Sequence, residues 1–176
     1  MEEYRLIKKY PVHKGNVMDF YECEMGLAND ETAKWDLVEH PGGAAVLPID
    51  KDGSIILVRQ YRVGADEKMI EIPAGKADAG ESHIDCIRRE LKEEIGCVSC
   101  KLELLCEFMP APAYSSEKTD IFLATDIELA ESDPDDDEYI DIIRLSVDDV
   151  KKMIRNKEIT DGKTIAGFMT YLAEKK

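Results

Sequence analysis

Through the first forty residues, apolar and polar positions alternate in short runs at 5–10, 18–24 and 34–40, separated by Asn16, Asn29 and Asp30. A period of two predicts strands, and the Asn and Asp positions predict turns between them. Three short strands cannot cover both faces of a sheet, so 1–40 is expected to pack on the rest of the chain or on a second copy. Strands are next predicted at 43–47 and 55–61, flanking a hairpin turn at Asp50-Lys51-Asp52-Gly53. A short strand over 69–72 ends at Pro73, and others are expected over 102–109, 120–124 and 138–146. Three stretches are helical. Residues 82–95 open on Ser82 with Asp85 three positions on, and close on Gly96. Ser146 with Asp149 caps a second helix running to about Arg155, and a third covers 164–174. Strands and helices mixed with short connections predict an α/β (α+β) fold with a sheet between helices.

The helix at 82–95 carries the first chemical signal. At ~100° per residue, Ile84, Ile87, Leu91 and Ile95 form one stripe, expected to pack on the sheet. Glu90, Glu93 and Glu94 lie beside it, and Glu90 and Glu94 are one turn apart. Like charges at that spacing destabilise a helix, so the cluster invites a cation. Carboxylate oxygens suit Mg²⁺ or Mn²⁺, and Mg²⁺ needs few protein ligands because it keeps waters and shares substrate phosphates. Taken alone, the helix could equally present an ordinary solvated acidic face.

Composition narrows the classes. The 176 residues fit one domain, or a domain with an appendage, and 44% are apolar. The net charge is −15, with 38 carboxylates against 23 Lys and Arg. That balance argues against nucleic acid held by phosphate contacts and against anionic membranes. It leaves anionic small molecules open, because a divalent ion reverses the local field. Nine of the carboxylates fall in the run 126–141, which has no Lys or Arg and reads chiefly as a solvated loop. No apolar run approaches the roughly 20 residues of a membrane span. The N-terminal stretch lacks the apolar core of a secretory signal. Five scattered cysteines do not suggest a disulfide framework, so a reducing, cytoplasmic setting is expected.

From Gly75 the chain reads GKADAGESHIDCIRRELKEEIGC. That is Gly75, five residues, Glu81, seven residues, Arg89-Glu90-Leu91, one residue, Glu93-Glu94, one residue, Gly96 and Cys97. These 23 positions resemble the Nudix box, with Cys97 standing where the family prefers an aliphatic residue. The resemblance implies a Nudix α/β/α sandwich with a mixed central sheet over 41–176, plus the small N-terminal antiparallel region 1–40. It implies Glu90 and Glu94 as metal ligands with the Ala74 carbonyl, and Glu93 as a helper. It also implies that Arg89 orients the glutamates, with Glu81 as a candidate partner, and that Gly75 lets the chain approach the metal. The cofactor implied is Mg²⁺, with Mn²⁺ as a substitute.

The resemblance extends to the ADP-ribose pyrophosphatase subfamily through VRQYR at 58–62, EIPAGK at 71–76, DGKT at 161–164, and Pro112, 15 positions after the box. Pro112 is followed by Ala113 where the subfamily often has Gly. The subfamily implies hydrolysis of ADP-ribose to AMP and ribose 5-phosphate. Alternatives are another nucleotide sugar, or a Nudix-fold domain that senses a nucleotide without cleaving it. It implies that 1–40 serves homodimerisation and substrate contact. Trp35 would stack on adenine, although a lone Trp also suits a core. Arg62 would contact substrate, or else form a surface ion pair. Glu71 would lie near ribose or metal, or else be a sheet-edge charge. Glu138, with Asp136 as neighbour, would be the mobile carboxylate that helps activate water. Cys97-Val98-Ser99-Cys100 has no second ligand pair and Cys97 reads as a packing residue; His13, His40 and His83 lack metal spacing, and His40, five residues after Trp35, reads as a surface residue with a place near substrate as the alternative.

Overall fold

The computed structural model describes residues 3–130 and 139–175. Two compact units divide it: Met1–Gly42 with Met109–Lys118, and Gly43–Phe108 with Thr119–Lys176.

The larger unit contains two sheets. In one the order is β7 (Ala74–Lys76), β4 (Gly43–Pro48), β9 (Thr119–Leu129), β8 (Cys97–Phe108). It is mixed, because β4 and β9 are parallel while the other pairs are antiparallel. The other sheet is antiparallel, in the order β10 (Asp141–Leu145), β5 (Ile55–Arg62), β6 (Glu67–Glu71). The turn predicted at 50–53 forms, with Gly53 at φ 84° donating to the Asp50 carbonyl at 2.9 Å. The strands it joins nevertheless pair only through the Ile49–Ile55 bridge and then enter different sheets. The reason is burial: both strands carry continuous apolar runs covered on two sides.

Alternation sorts those runs between two cores. Ala44, Val46, Ile56, Val58, Phe122 and Ala124 pack with Ile87, Leu91 and Ile95 of α1 (His83–Ile95). Ala45, Leu47, Ile55, Leu57 and Ile121 face the other way, onto Val150 of α2 (Val147–Arg155) and Phe168 and Tyr171 of α3 (Gly162–Glu174). The strands are therefore sandwiched between α1 and the α2–α3 pair, a mixed α+β fold. Ser82 caps α1 by accepting from the Asp85 amide at 3.2 Å, and Gly96 ends it in the left-handed conformation, φ 70°. The third helix starts before the predicted position 164, because Asp161 caps it by accepting from the Thr164 amide at 2.9 Å. Among the described residues, no helix is long and apolar enough to cross a membrane.

The smaller unit is an antiparallel sheet of β1 (Tyr4–Lys14), β2 (Asp19–Leu27) and β3 (Thr32–Glu39). Its 109–118 segment runs along β3, with Val38 donating to the Tyr114 carbonyl at 2.7 Å and Ser116 donating to the Val38 carbonyl at 3.0 Å. Tyr4, Leu6, Ile7 and Val12 remain exposed on β1.

Candidate active site

The carboxylates of α1 divide by depth. Glu90 is 9% exposed and Glu94 3%, while Glu93 is half-buried. Glu90 and Glu94 thus belong to the buried face of the helix and are not merely beside it. Two features make room for them. A Cβ built on Gly75 would lie 1.7 Å from Glu90 Oε1, so the Glu90 carboxylate occupies the space that any other residue at 75 would fill. Glu94 Oε1 faces the buried amide of Gln60 at 3.5 Å, long for a hydrogen bond.

Arg89 gathers the acidic groups. It donates to Glu81 through Nε and Nη2, both at 3.1 Å, to Glu90 at 2.7 Å and to Glu93 at 3.2 Å. Its Nη2 also donates to the Lys76 carbonyl at 3.2 Å, tying α1 to β7. The Glu81 and Glu90 hydrogen bonds raise the Arg89 pKa above its already high ordinary value, outweighing the opposing effect of burial. Glu81 is held below the usual carboxylate range chiefly by the Arg89 hydrogen bond, with the Asp78 amide adding to it.

A second cluster centres on Glu71. Glu71 is 1% exposed, so it is not a sheet-edge charge. Arg62 grips it bidentately, Nε to Oε1 at 2.7 Å and Nη2 to Oε2 at 3.0 Å. Burial lowers the Arg62 pKa, but the Glu71 hydrogen bonds and charge more than offset it, and the net shift is upward. Lys163 pairs with the same Glu71 carboxylate and with Asp161. The Thr164 hydroxyl donates to Asp161 at 2.6 Å and accepts from the Ile72 amide at 2.9 Å. DGKT therefore fastens α3 to the segment that enters the box. The contacts of Gln60, Lys163 and Thr164 arise only in the tertiary structure; in the sequence their sole signal is membership of VRQYR and DGKT.

Trp35 lies in β3 of the smaller unit, 45% exposed, and its ring meets Tyr4 at 5.4 Å between centroids, tilted by 49°. It is not a core residue. Pro112 belongs to the same unit. Glu138 and Asp136 lie outside the described residues.

The donor set fits a hard divalent cation. It consists of two buried carboxylates one helical turn apart, next to a backbone strand stripped of its side chain at Gly75. Among the described residues, no three His, Cys, Asp or Glu side chains already converge on one point. Two carboxylates suffice for an ion that completes its shell with water and phosphate oxygens.

Comparison with known proteins bears on the family and the fold. The family model described as the NUDIX domain matches residues 39–168. ADP-ribose pyrophosphatase of Bacillus subtilis (strain 168) is 34% identical over 164 residues, covering 92% of this chain and 89% of that protein. Methanol dehydrogenase activator of Bacillus methanolicus is 33% identical over 165 residues, covering 93% and 89%. A crystal structure of ADP compounds hydrolase superposes with a TM-score of 0.85 over 98% of this chain and 94% of that chain; at 21% identity this shows a shared fold.

Proposed function

The chain belongs to the Nudix family of hydrolases, and from that premise we propose that it cleaves ADP-ribose with water to AMP and ribose 5-phosphate, using Mg²⁺ or Mn²⁺ in its place. The observation that carries this reading is the burial of Glu90 and Glu94 against the Gly75 backbone. Buried carboxylates are costly without compensation, and a pyrophosphate is repelled by them unless cations intervene. Glu90, Glu94 and the Ala74 carbonyl would hold the ion, with Glu93 assisting. When bound, such an ion neutralises phosphate charge, polarises phosphorus and lowers the pKa of water.

The chain's own groups do the rest. Arg89 is a positioning residue: its fork fixes Glu90 and Glu93 and anchors α1 to β7. Glu71 positions Arg62 through Nε and Nη2, and the Arg62 Nη1 is the group proposed to reach a substrate oxygen. Trp35 is proposed to stack on adenine, with Pro112 shaping a substrate loop; the exposure of Trp35 supports its part. Glu138, with Asp136 two positions earlier in the sequence, is proposed to help activate water. The region 1–40 is proposed to form a homodimer, supported by the exposed apolar side chains of β1. We infer a cytoplasmic setting, supported by five free cysteines, and no nucleic-acid or membrane partner, supported by the acidic balance.

The test is Glu94→Gln, which should abolish metal-dependent AMP release while the circular dichroism spectrum stays unchanged. Full activity in that variant would remove the assigned metal site. Parallel turnover of ADP-ribose, ADP-glucose and GDP-mannose checks the sugar; preference for either of the latter two would overturn the ADP-ribose reading but keep the chemistry. Tight ADP-ribose binding without turnover in Mg²⁺ or Mn²⁺ would favour a sensor.

A further inference from the structure

DGKT at 161–164 closes a ring of contacts around the point where β6 ends. The Ile72 amide donates to the Thr164 hydroxyl at 2.9 Å, and that hydroxyl donates to Asp161 Oδ2 at 2.6 Å. Asp161 Oδ1 accepts from Lys163 Nζ at 3.1 Å. The same Nζ pairs with Glu71 Oε2, one residue before Ile72. One end of the ring thus holds the backbone at Ile72 and the other holds the side chain of Glu71. Capping of α3 uses only the Asp161–Thr164 part, so Lys163 adds a contact that the cap does not need.

That contact crosses from one layer to the other. Ile72 packs in the core on the α3 side. Glu71 stands in register with Val58 of β5, which packs on the α1 side. Val58, Gln60 and Arg62 share that side, being two apart along the strand. Gln60 faces Glu94 at 3.5 Å, and Arg62 grips Glu71. Lys163 therefore brings its charge from the α3 layer to the carboxylate that holds Arg62, two positions along β5 from the residue facing Glu94. Side-chain exposure is 1% for Glu71, 17% for Lys163 and 40% for Arg62. In the series Lys163–Glu71–Arg62, Arg62 is the member most open to a ligand.

We propose that Lys163 is a positioning residue: by holding Glu71 Oε2 it fixes the carboxylate plane on which the Arg62 fork lies, and so aims Arg62 at the substrate. This rests on the Arg62–substrate contact proposed above. The last bond of a glutamate side chain has a broad torsional preference. A bidentate pair tolerates little turning about it, because both hydrogen bonds need the two planar groups aligned. A third donor arriving from α3 limits that turning. The fold itself depends less on Lys163. Without it Glu71 still has the Arg62 donors, and Asp161 still has the Thr164 amide and hydroxyl. The loss should fall on the order of Arg62.

The full chain carrying Lys163→Met is compared with wild type in two ways. In ¹H–¹⁵N spectra the Arg62 Nε–H signal is identified by its absence in Arg62→Lys. Nε donates to Glu71 at 2.7 Å, and its exchange with water should be roughly tenfold faster in Lys163→Met. In Mg²⁺-dependent turnover of whichever of ADP-ribose, ADP-glucose and GDP-mannose the wild type hydrolyses, KM should rise about tenfold with kcat nearly unchanged, the low end for one charge-assisted hydrogen bond. In a Glu71→Gln background, Lys163→Met should raise KM no further, because its route to Arg62 is already cut. Lys163→Gln, one atom shorter in reach and uncharged, serves both comparisons where Met does not fold. An unchanged Arg62 Nε–H exchange rate overturns the proposal. So does a fall in kcat and melting temperature with KM unchanged, or KM effects that multiply across Lys163→Met and Glu71→Gln. A wild type that hydrolyses none of the three sugars overturns the hydrolytic reading alone, and the exchange rate then decides for Lys163.

Discussion

Replacing Gly75 by Ala tests whether the glutamate geometry rests on an empty space in the backbone. The new Cβ would stand 1.7 Å from Glu90 Oε1, 2.0 Å from Cδ and 2.6 Å from Cγ, against a practical floor of 3.0 Å. Oε1 must therefore retreat by at least 1.3 Å, the difference between 3.0 and 1.7. Turning the carboxylate about its last bond cannot clear the clash, because Cγ is also too close. The side chain must change rotamer, which breaks the 2.7 Å bond from Arg89. Gly75 is not among the residues with positive φ, so no backbone strain adds to the effect. A 1 Å misplacement of a reacting constellation can cost about 10²-fold, or roughly 2.7 kcal/mol in barrier. Overpacking costs about 1–3 kcal/mol of stability, a drop of roughly 2–12 °C in melting temperature for a chain of this size. The assay is steady-state AMP release from ADP-ribose under saturating Mg²⁺, with thermal denaturation in parallel. The expected outcome is a kcat loss of about 10²-fold in a protein still folded at 25 °C. If Ala acts through Glu90, the Gly75→Ala change adds little in a Glu90→Gln background. Wild-type kcat in Gly75→Ala, or full additivity with Glu90→Gln, would refute the reasoning.

Three further outcomes follow from the same geometry. Thr164→Val keeps the shape but leaves the Ile72 amide without its acceptor, so stability should fall by about 1–3 kcal/mol; an unchanged denaturation midpoint would deny that role. Glu81 has its pKa depressed below 4.5, so its stabilising contribution is full above that value and fades as pH falls through the depressed one. Glu81→Gln should therefore lower stability at neutral pH and flatten its acid dependence below about pH 4.5, which equilibrium unfolding across pH 2–7 would check. Trp35→Ala should raise KM for ADP-ribose with kcat nearly unchanged, because the ring is nearly half exposed and meets only Tyr4 among aromatic rings of the described residues; a fall in kcat with no change in KM would exclude stacking on adenine.

The sequence by itself determined what neighbouring residues decide. Ser82 and Gly96 bound α1, Ser146 caps α2, and the 23-position box identifies the chemistry, because caps, turns and motif spacing act over a few residues. The fold class was legible for a related reason: strand and helix periods read directly as elements. Pairing was not. The Asp50–Gly53 turn looks like a simple hairpin, yet β4 prefers β9 and β7, strands brought from far along the chain. The depth of Glu90 depends on a glycine fifteen positions earlier, and that of Glu71 on Arg62 and Lys163, which compensate a charge that would otherwise stay near solvent. In each case the deciding partner is distant in sequence. The energy of burying a carboxylate or pairing a strand exists only once that partner arrives, so tertiary structure alone could decide it.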